Sequence, residues 1–316
     1  MPLRQKFLLL LASARVANLP SVVSNVWLGV ALSTCFRHPE AGPNWPVALQ
    51  FALSGMLLYA SGNFLNDWQD RHWDAQHRPE RALPQGAFTP PLYLGLAGLC
   101  ALTGMALAFV ISTSSGLVAA LIVVSILGYT RWHKQSAWTV LLMGLCRALL
   151  PLLFFIQQPL ACKAGCAYVN PALHIIAPAA LALMLYIAAL SLLARGESSD
   201  SASTGSVLLA RCLLLASGPL MAWSVTLDAA PLLALLGLPP FFLWLGLCFT
   251  HFRRPVSRQI AALLAGIPLL DWVALLPLAL AMITRTKLDP FSLTCLLLPP
   301  LAFLAGRFLQ RLATAT

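Results

Sequence analysis

Residues 66–86 read "NDWQDRHWDAQHRPERALPQG" and hold four of the ten acidic residues of the chain: Asp67, Asp70, Asp74 and Glu80. Asp67, Asp70 and Asp74 stand at i, i+3 and i+7, so a helix through them puts all three on one face. Three carboxylates on one face repel one another unless a positive charge lies between them. Hard oxygen donors at this density suit Mg²⁺, which keeps several waters and bridges to substrate phosphates. Asn66 adds an amide beside them, and Arg78 and Arg81 follow within reach. Carboxylates for a metal and guanidinium groups for phosphate oxygens are the two kinds of charge that a metal–diphosphate needs. His72 and His77 lack zinc-site spacing, and no Cys lies in the segment. The competing reading is a solvated juxtamembrane loop whose acids pair with Arg71, Arg78 and Arg81.

The elements that must position these groups are membrane helices. The 316 residues are 59% hydrophobic and only 9% charged, far from the composition of a water-soluble domain. Apolar stretches at roughly 16–35, 47–65, 90–111, 115–131, 137–156, 172–194, 204–226, 230–250, 260–283 and 290–308 can each span ~30 Å of hydrocarbon. That gives ten spans, or nine if the break around Asp228 is a kink. No polar stretch is long enough for a second domain, so residues 1–316 read as one all-α, polytopic helical bundle. With ten spans and the N-terminus inside, the inner segments hold fourteen Lys and Arg and the outer loops four, Arg37, Lys163, Arg285 and Lys287. Cleavage after the signal-like start "MPLRQKFLLLLASARV" would invert that bias, so the N-terminus is expected to stay. The net charge of +10 then reflects topology and anionic headgroups, and no nucleic acid is expected as a partner. Cys162 and Cys166 share one outer loop, as free thiols or as a disulfide.

The topology puts residues 66–89, 131–136 and 195–203 at one face. His133 and Lys134 are therefore candidates for the same phosphate site, unless they serve only as topology charges. Asp271 lies inside an apolar span, where an acid is a functional candidate by default. It could orient an acceptor, act as a base, or pair with Arg147 or Arg211. Asn18, Ser24 and Asn25 either line a cavity or join helices by hydrogen bonds.

"NDWQDRHWD" fits N-D-x-x-D-x-x-x-D, and with "RPERALPQG" it resembles the UbiA superfamily of intramembrane prenyltransferases, nearest to its EboC-like branch. "SNVWLG" at 24–29 resembles the first helix of that family, and "GYTRWHK" at 128–134 its Tyr followed by basic residues, here Tyr129, His133 and Lys134. The likeness runs over about residues 15–205. It implies a helical bundle with a lipid-open cavity and two acidic motifs at the cytosolic end holding Mg²⁺ on a prenyl diphosphate. The prenyl group would then pass to a lipophilic or aromatic acceptor among membrane lipids. The expected setting is the cytoplasmic membrane of a bacterium, with the N-terminus and acidic motifs inside. The second motif of the family is D-x-x-x-D. Here the place reads "LLARGESSDSASTG", with Ala194 at the first aspartate position and Arg195, Glu197 and Asp200 remaining. Either Glu197 and Asp200 form a substitute metal site or the chain is a catalytically altered relative. Asp67, Asp70, Asp74 and Glu197 are the catalytic candidates, the same four with Asp200 the metal ligands. Asn66, Arg78, Arg81, Tyr129, His133, Lys134, Arg195 and Asp271 are the substrate-binding candidates. A lipid-handling or transport protein and a phosphoribosyl-type transferase on the same fold stay open. A CDP-alcohol phosphotransferase does not, because residues 66–86 lack its D-G and A-R-x-x-G spacing.

Overall fold

The computed structural model describes residues 1–37, 42–157, 171–198, 204–226, 231–285 and 288–312. Among them there is no strand. In chain order the helices are α1 (Leu3–Ser13), α2 (Leu19–Arg37), α3 (Trp45–His77), α4 (Pro90–Ile111), α5 (Thr113–Trp132), α6 (Val140–Ala148), α7 (Leu150–Phe155), α8 (Pro171–Ser198), α9 (Thr204–Trp223), α10 (Pro231–Ala234), α11 (Leu238–Phe249), α12 (Val256–Ala265), α13 (Ile267–Arg285) and α14 (Pro290–Leu309). They supply ten segments long and apolar enough to cross a membrane, so the protein is an integral, multi-pass membrane protein. Asp228, where nine and ten spans would differ, and Cys162 and Cys166 lie outside the described residues.

Two spans form the centre. The first, Val16–Phe36, and the ninth, Val256–Arg285, are the most buried, whereas α4, α11 and α14 turn leucines outward, as lipid-facing helices do. Close approach at the centre depends on glycine. A Cβ on Gly29 in α2 would stand 1.9 Å from the Pro151 carbonyl oxygen of α7. α2 and α7 could not pack at this distance with any side chain there.

α3 carries the acidic segment beyond the bilayer. It starts at Asn44, whose side chain accepts from the Val47 N–H at 3.3 Å, and runs 33 residues without interruption. That is about 50 Å of helix against ~30 Å of hydrocarbon. The apolar pattern alone placed the end of this span near residue 65; the helix continues through Asp67, Asp70 and Asp74 and stops only before Pro79. A second, smaller core at this end packs Phe64, Ala82, Ala87, Tyr93 and Ala97 with Leu9 and Leu10 of α1 and Leu83 and Phe88 of the following loop. Tyr93 donates to Ser13 Oγ at 2.7 Å, which ties α1 to α4. This core fixes the 78–89 loop and the α1–α2 junction against α3, and so places Arg81 and Arg15.

Candidate functional site

The three aspartates face inward. Asp67 is 8% exposed, Asp70 8% and Asp74 2%, which is not a solvated loop. Burying carboxylates demands compensating charge, and each has it. Arg81 bridges two of them, with Nη1 2.8 Å from Asp74 Oδ2 and 3.4 Å from Asp67 Oδ1. Arg15 Nη2 lies 3.6 Å from Asp67 Oδ1, while its Nη1 donates to Asn63 Oδ1 at 2.6 Å. Asp70 takes its partners from another helix end: Lys134 Nζ at 2.5 Å and His133 Nε2 at 3.5 Å, both on Oδ1. The Lys134 contact is an ion pair. Lys134 is also the exposed member of the group, so this pair contributes little to stability. Burial is the largest single influence on Arg15 and works against its charge, but Asp67, Tyr59, Tyr129 and Asp70 together outweigh it, and the guanidinium pKa is raised.

Asn66 donates through Nδ2 to Asp70 Oδ2 at 3.2 Å, and its Oδ1 is buried with no hydrogen-bond partner. A small cleft of about 120 Å³ opens beside Asp70, lined by Gln69, Thr130, Arg131, His133, Lys134 and Gln135. That is below the roughly 300 Å³ of a whole small-molecule pocket and admits an anionic head at most. Tyr129 stacks on His133 with ring centroids 5.2 Å apart. The C-terminal ends of α3 and α5, the α1–α2 junction and the 78–89 loop thus converge at one end of the bundle.

The remaining candidates stand elsewhere. Arg78, expected at the carboxylates, uses its backbone N–H on the Asp74 carbonyl, and its guanidinium lies over the Trp73 ring at 5.8 Å. Arg195 Nη1 donates to the His133 carbonyl and, at 3.3 Å, to that of Ser136, clamping the loop after α5. Glu197 falls in the last turn of α8, but its side chain, like all of Asp200, lies outside the described part. Arg15 and Asn63 belong to the site and were not among the sequence candidates. The left-handed backbone of Arg15 (φ 49°) turns the chain between α1 and α2.

Asp271 is fully buried in α13, where Ser24 donates to Oδ2 at 2.5 Å and Asn25 Nδ2 to both oxygens at 3.0 and 2.8 Å. Asn25 Oδ1 accepts from Arg147 Nη1 at 2.9 Å, and Arg147 lies over the Tyr59 ring at 5.0 Å. Asp271 and Arg147, one of its two candidate partners, are therefore joined through Asn25. The network ties α2, α6 and α13 together. Asp271→Ala should cost about 2 kcal/mol or more, above the usual interhelical hydrogen bond in a membrane, because it strands the Arg147 charge. Adding Arg147→Gln should restore part of that loss. Thermal unfolding in detergent measures both; a double variant less stable than Asp271→Ala would argue against charge stranding.

No three His, Cys, Asp or Glu groups among the described residues converge as a ready-made metal cage. The carboxylates are divided between Arg81 and Lys134 instead. The donor set still fits Mg²⁺: three carboxylates and an orphaned amide oxygen, all hard oxygens, at the end of one helix.

Residues 26–267 match the profile of the UbiA prenyltransferase family. No curated protein matches the sequence. Among solved structures, the chain is similar to a digeranylgeranylglyceryl phosphate synthase (16% identity, 96% of this chain and 97% of that one, TM-score 0.51). It is similar to an apo UbiA homologue from Aeropyrum pernix K1 (16% identity, 93% and 98%, TM-score 0.51). It is also similar to a UbiA homologue from Archaeoglobus fulgidus bound to GPP and Mg²⁺ (13% identity, 95% and 98%, TM-score 0.51). At these identities the structural likeness establishes the fold.

Proposed function

We propose that this chain, which belongs to the UbiA prenyltransferase family, transfers a prenyl group from an allylic prenyl diphosphate to a lipophilic or aromatic acceptor in a Mg²⁺-dependent reaction. The observation that carries this reading is the convergence of three buried carboxylates with Arg15, Arg81 and Lys134 at one end of the bundle. Asp67, Asp70, Asp74 and the Asn66 amide oxygen would hold the ion, with Glu197 and Asp200 as a second acidic pair. Bound there, Mg²⁺ would neutralise charge on the diphosphate.

The chain's own residues supply the rest. Arg15, Arg81 and Lys134 rest on carboxylates and can exchange them for phosphate oxygens. As the allylic C–O bond breaks, its electron pair leaves with the diphosphate, and these cations meet the growing negative charge. The acceptor forms its bond to the freed carbon and gives up a proton. The apolar bundle keeps water from competing. The test is turnover of labelled allylic diphosphates with a membrane lipid extract, with and without Mg²⁺. Prenylated product formed only with the ion supports the reading, and no product with any donor counts against it.

We place the site at the cytoplasmic face of a bacterial inner membrane. Gln76 is exposed at the end of α3, so a cysteine there should react with impermeant reagents only from the inside. Labelling in intact cells would reverse the assignment.

One observation favours a catalytically altered relative. Ala194, at the family's first aspartate position, packs against the apolar core, and Arg195 is engaged on backbone carbonyls. The two readings part on Glu197, which is still helical. Glu197→Gln should lower turnover on the order of 100-fold and more than Asp200→Asn. Parental turnover in both variants would leave the reaction to the first cluster alone.

A further inference from the structure

A second cationic site stands at the same end of the bundle, apart from the aspartates. Arg258 in the first turn of α12 and Arg307 in the last turn of α14 come from segments distant in sequence, yet they gather around one ring. The guanidinium carbons of Arg258 and Arg307 each lie 5.0 Å from the Phe252 centroid, and Arg307 is also 5.5 Å from the Trp244 ring. Arg311 follows Arg307 by about one turn, its backbone N–H on the Phe308 carbonyl at 3.0 Å. The exposed Arg253 and Arg254 adjoin them.

The shelf is built rigidly. Trp244 Nε1 donates to the Ala262 carbonyl at 3.0 Å. Gln310 donates to the Ala261 carbonyl at 2.7 Å and accepts from Arg307 Nη1 at 2.9 Å. No acid answers this charge. Among the described residues none of the five arginines has an ion pair, and the sequence carries no acidic residue from 229 to 270 or after Asp289.

The need for positive charge inside is met by any scattered Lys or Arg and does not require convergence. Arg307 commits Nη1 to Gln310 and Arg258 Nη2 lies 3.5 Å from His251 Nε2, but the other N–H groups of these guanidiniums, held over aromatic faces, are suited to a phosphate oxyanion. The location selects the source. Gly306 packs against the Ala17 carbonyl, which places this end of α14 beside the α1–α2 junction. Leu304 (59% exposed) and Phe308 (58%) continue the Arg307–Arg311 face into the bilayer. Phosphate-binding groups above a lipid-facing apolar strip match a headgroup above its acyl chains.

We propose that Arg258, Arg307 and Arg311, on the Phe252–Trp244 shelf, bind the phosphodiester headgroup of an anionic phospholipid. Native mass spectrometry of the full chain in detergent, titrated with phosphatidylglycerol or phosphatidylcholine, tests this. The parent should retain phosphatidylglycerol in preference, and Arg258→Gln/Arg307→Gln should weaken that preference about tenfold. Arg258→Gln alone, at an exposed position, should weaken it in part and serves if the double variant does not fold. Equal retention of the two lipids by the parent, or unchanged preference in the variants, would overturn the proposal. Displacement of the lipid by millimolar inorganic phosphate would make the site one for a free anion and overturn it as well; retention against phosphate supports it.

Discussion

Asp70→Asn is expected to abolish Mg²⁺-dependent diphosphate binding and to lower prenyl transfer about 100- to 1,000-fold, the usual effect of losing one charge-stabilising group at a reacting centre. Asp70 is the acid reached from two helices, by Asn66 on its own and by His133 and Lys134 after α5. It also borders the cleft. Asparagine keeps the shape and an acceptor for the Asn66 amide, so the bundle should stay folded while the charge is lost. Asp67→Asn and Asp74→Asn should behave alike in calorimetric titration with a prenyl diphosphate. Unchanged binding in all three would mean that the acids serve only to seat Arg15, Arg81 and Lys134.

Arg81→Gln should act on stability and on chemistry together. Among the described residues Arg81 is the one charge partner of Asp74, whose side chain is 3% exposed. Removing it leaves a buried carboxylate unpaired and should cost about 2 kcal/mol. Mg²⁺ drawn to the same carboxylates should replace the missing charge, so the ion should raise the unfolding temperature more in the variant than in the parent. Turnover should fall about 100-fold, because a cation meant for the diphosphate is gone. Arg78→Gln, on the Trp73 ring, should change stability by no more than about 0.5 kcal/mol. An equal Mg²⁺ response in Arg81→Gln and the parent would separate Arg81 from the metal site.

The helices were legible because every apolar run must satisfy its backbone within lipid, which leaves helices as the only reading. The i, i+3, i+7 spacing gave the shared face of Asp67, Asp70 and Asp74, but only on the condition that α3 outlast its apolar run. What decides that lies outside the local pattern: the small core of Phe64, Ala82 and Tyr93 that buttresses the helix end. The choice between Arg78 and Arg81 was equally out of reach, since both follow within a turn or two. Burial of Ala82 fixes the loop so that Arg81 points back and Arg78 does not. Arg15 has no local signal at all, because its contact with Asp67 spans some fifty positions. Asp271 was visible as a costly intramembrane acid, and its partners Ser24 and Asn25 were visible as polar residues in a span. Their meeting depends on α2 and α13 packing together at the centre.

The central claim, that the acidic end of α3 is a metal–diphosphate site, is tested most directly by isothermal titration of the purified protein with a non-ionisable prenyl diphosphate analogue, sulfur replacing the bridging oxygen. Titrations run in Mg²⁺ and in chelator, for the parent and for Asp67→Asn/Asp70→Asn/Asp74→Asn. The predicted result is binding by the parent that weakens at least about 100-fold in chelator, and no Mg²⁺-dependent binding by the triple variant. Equal affinity of the parent with and without the ion, or an unchanged Mg²⁺ dependence in the triple variant, would contradict it.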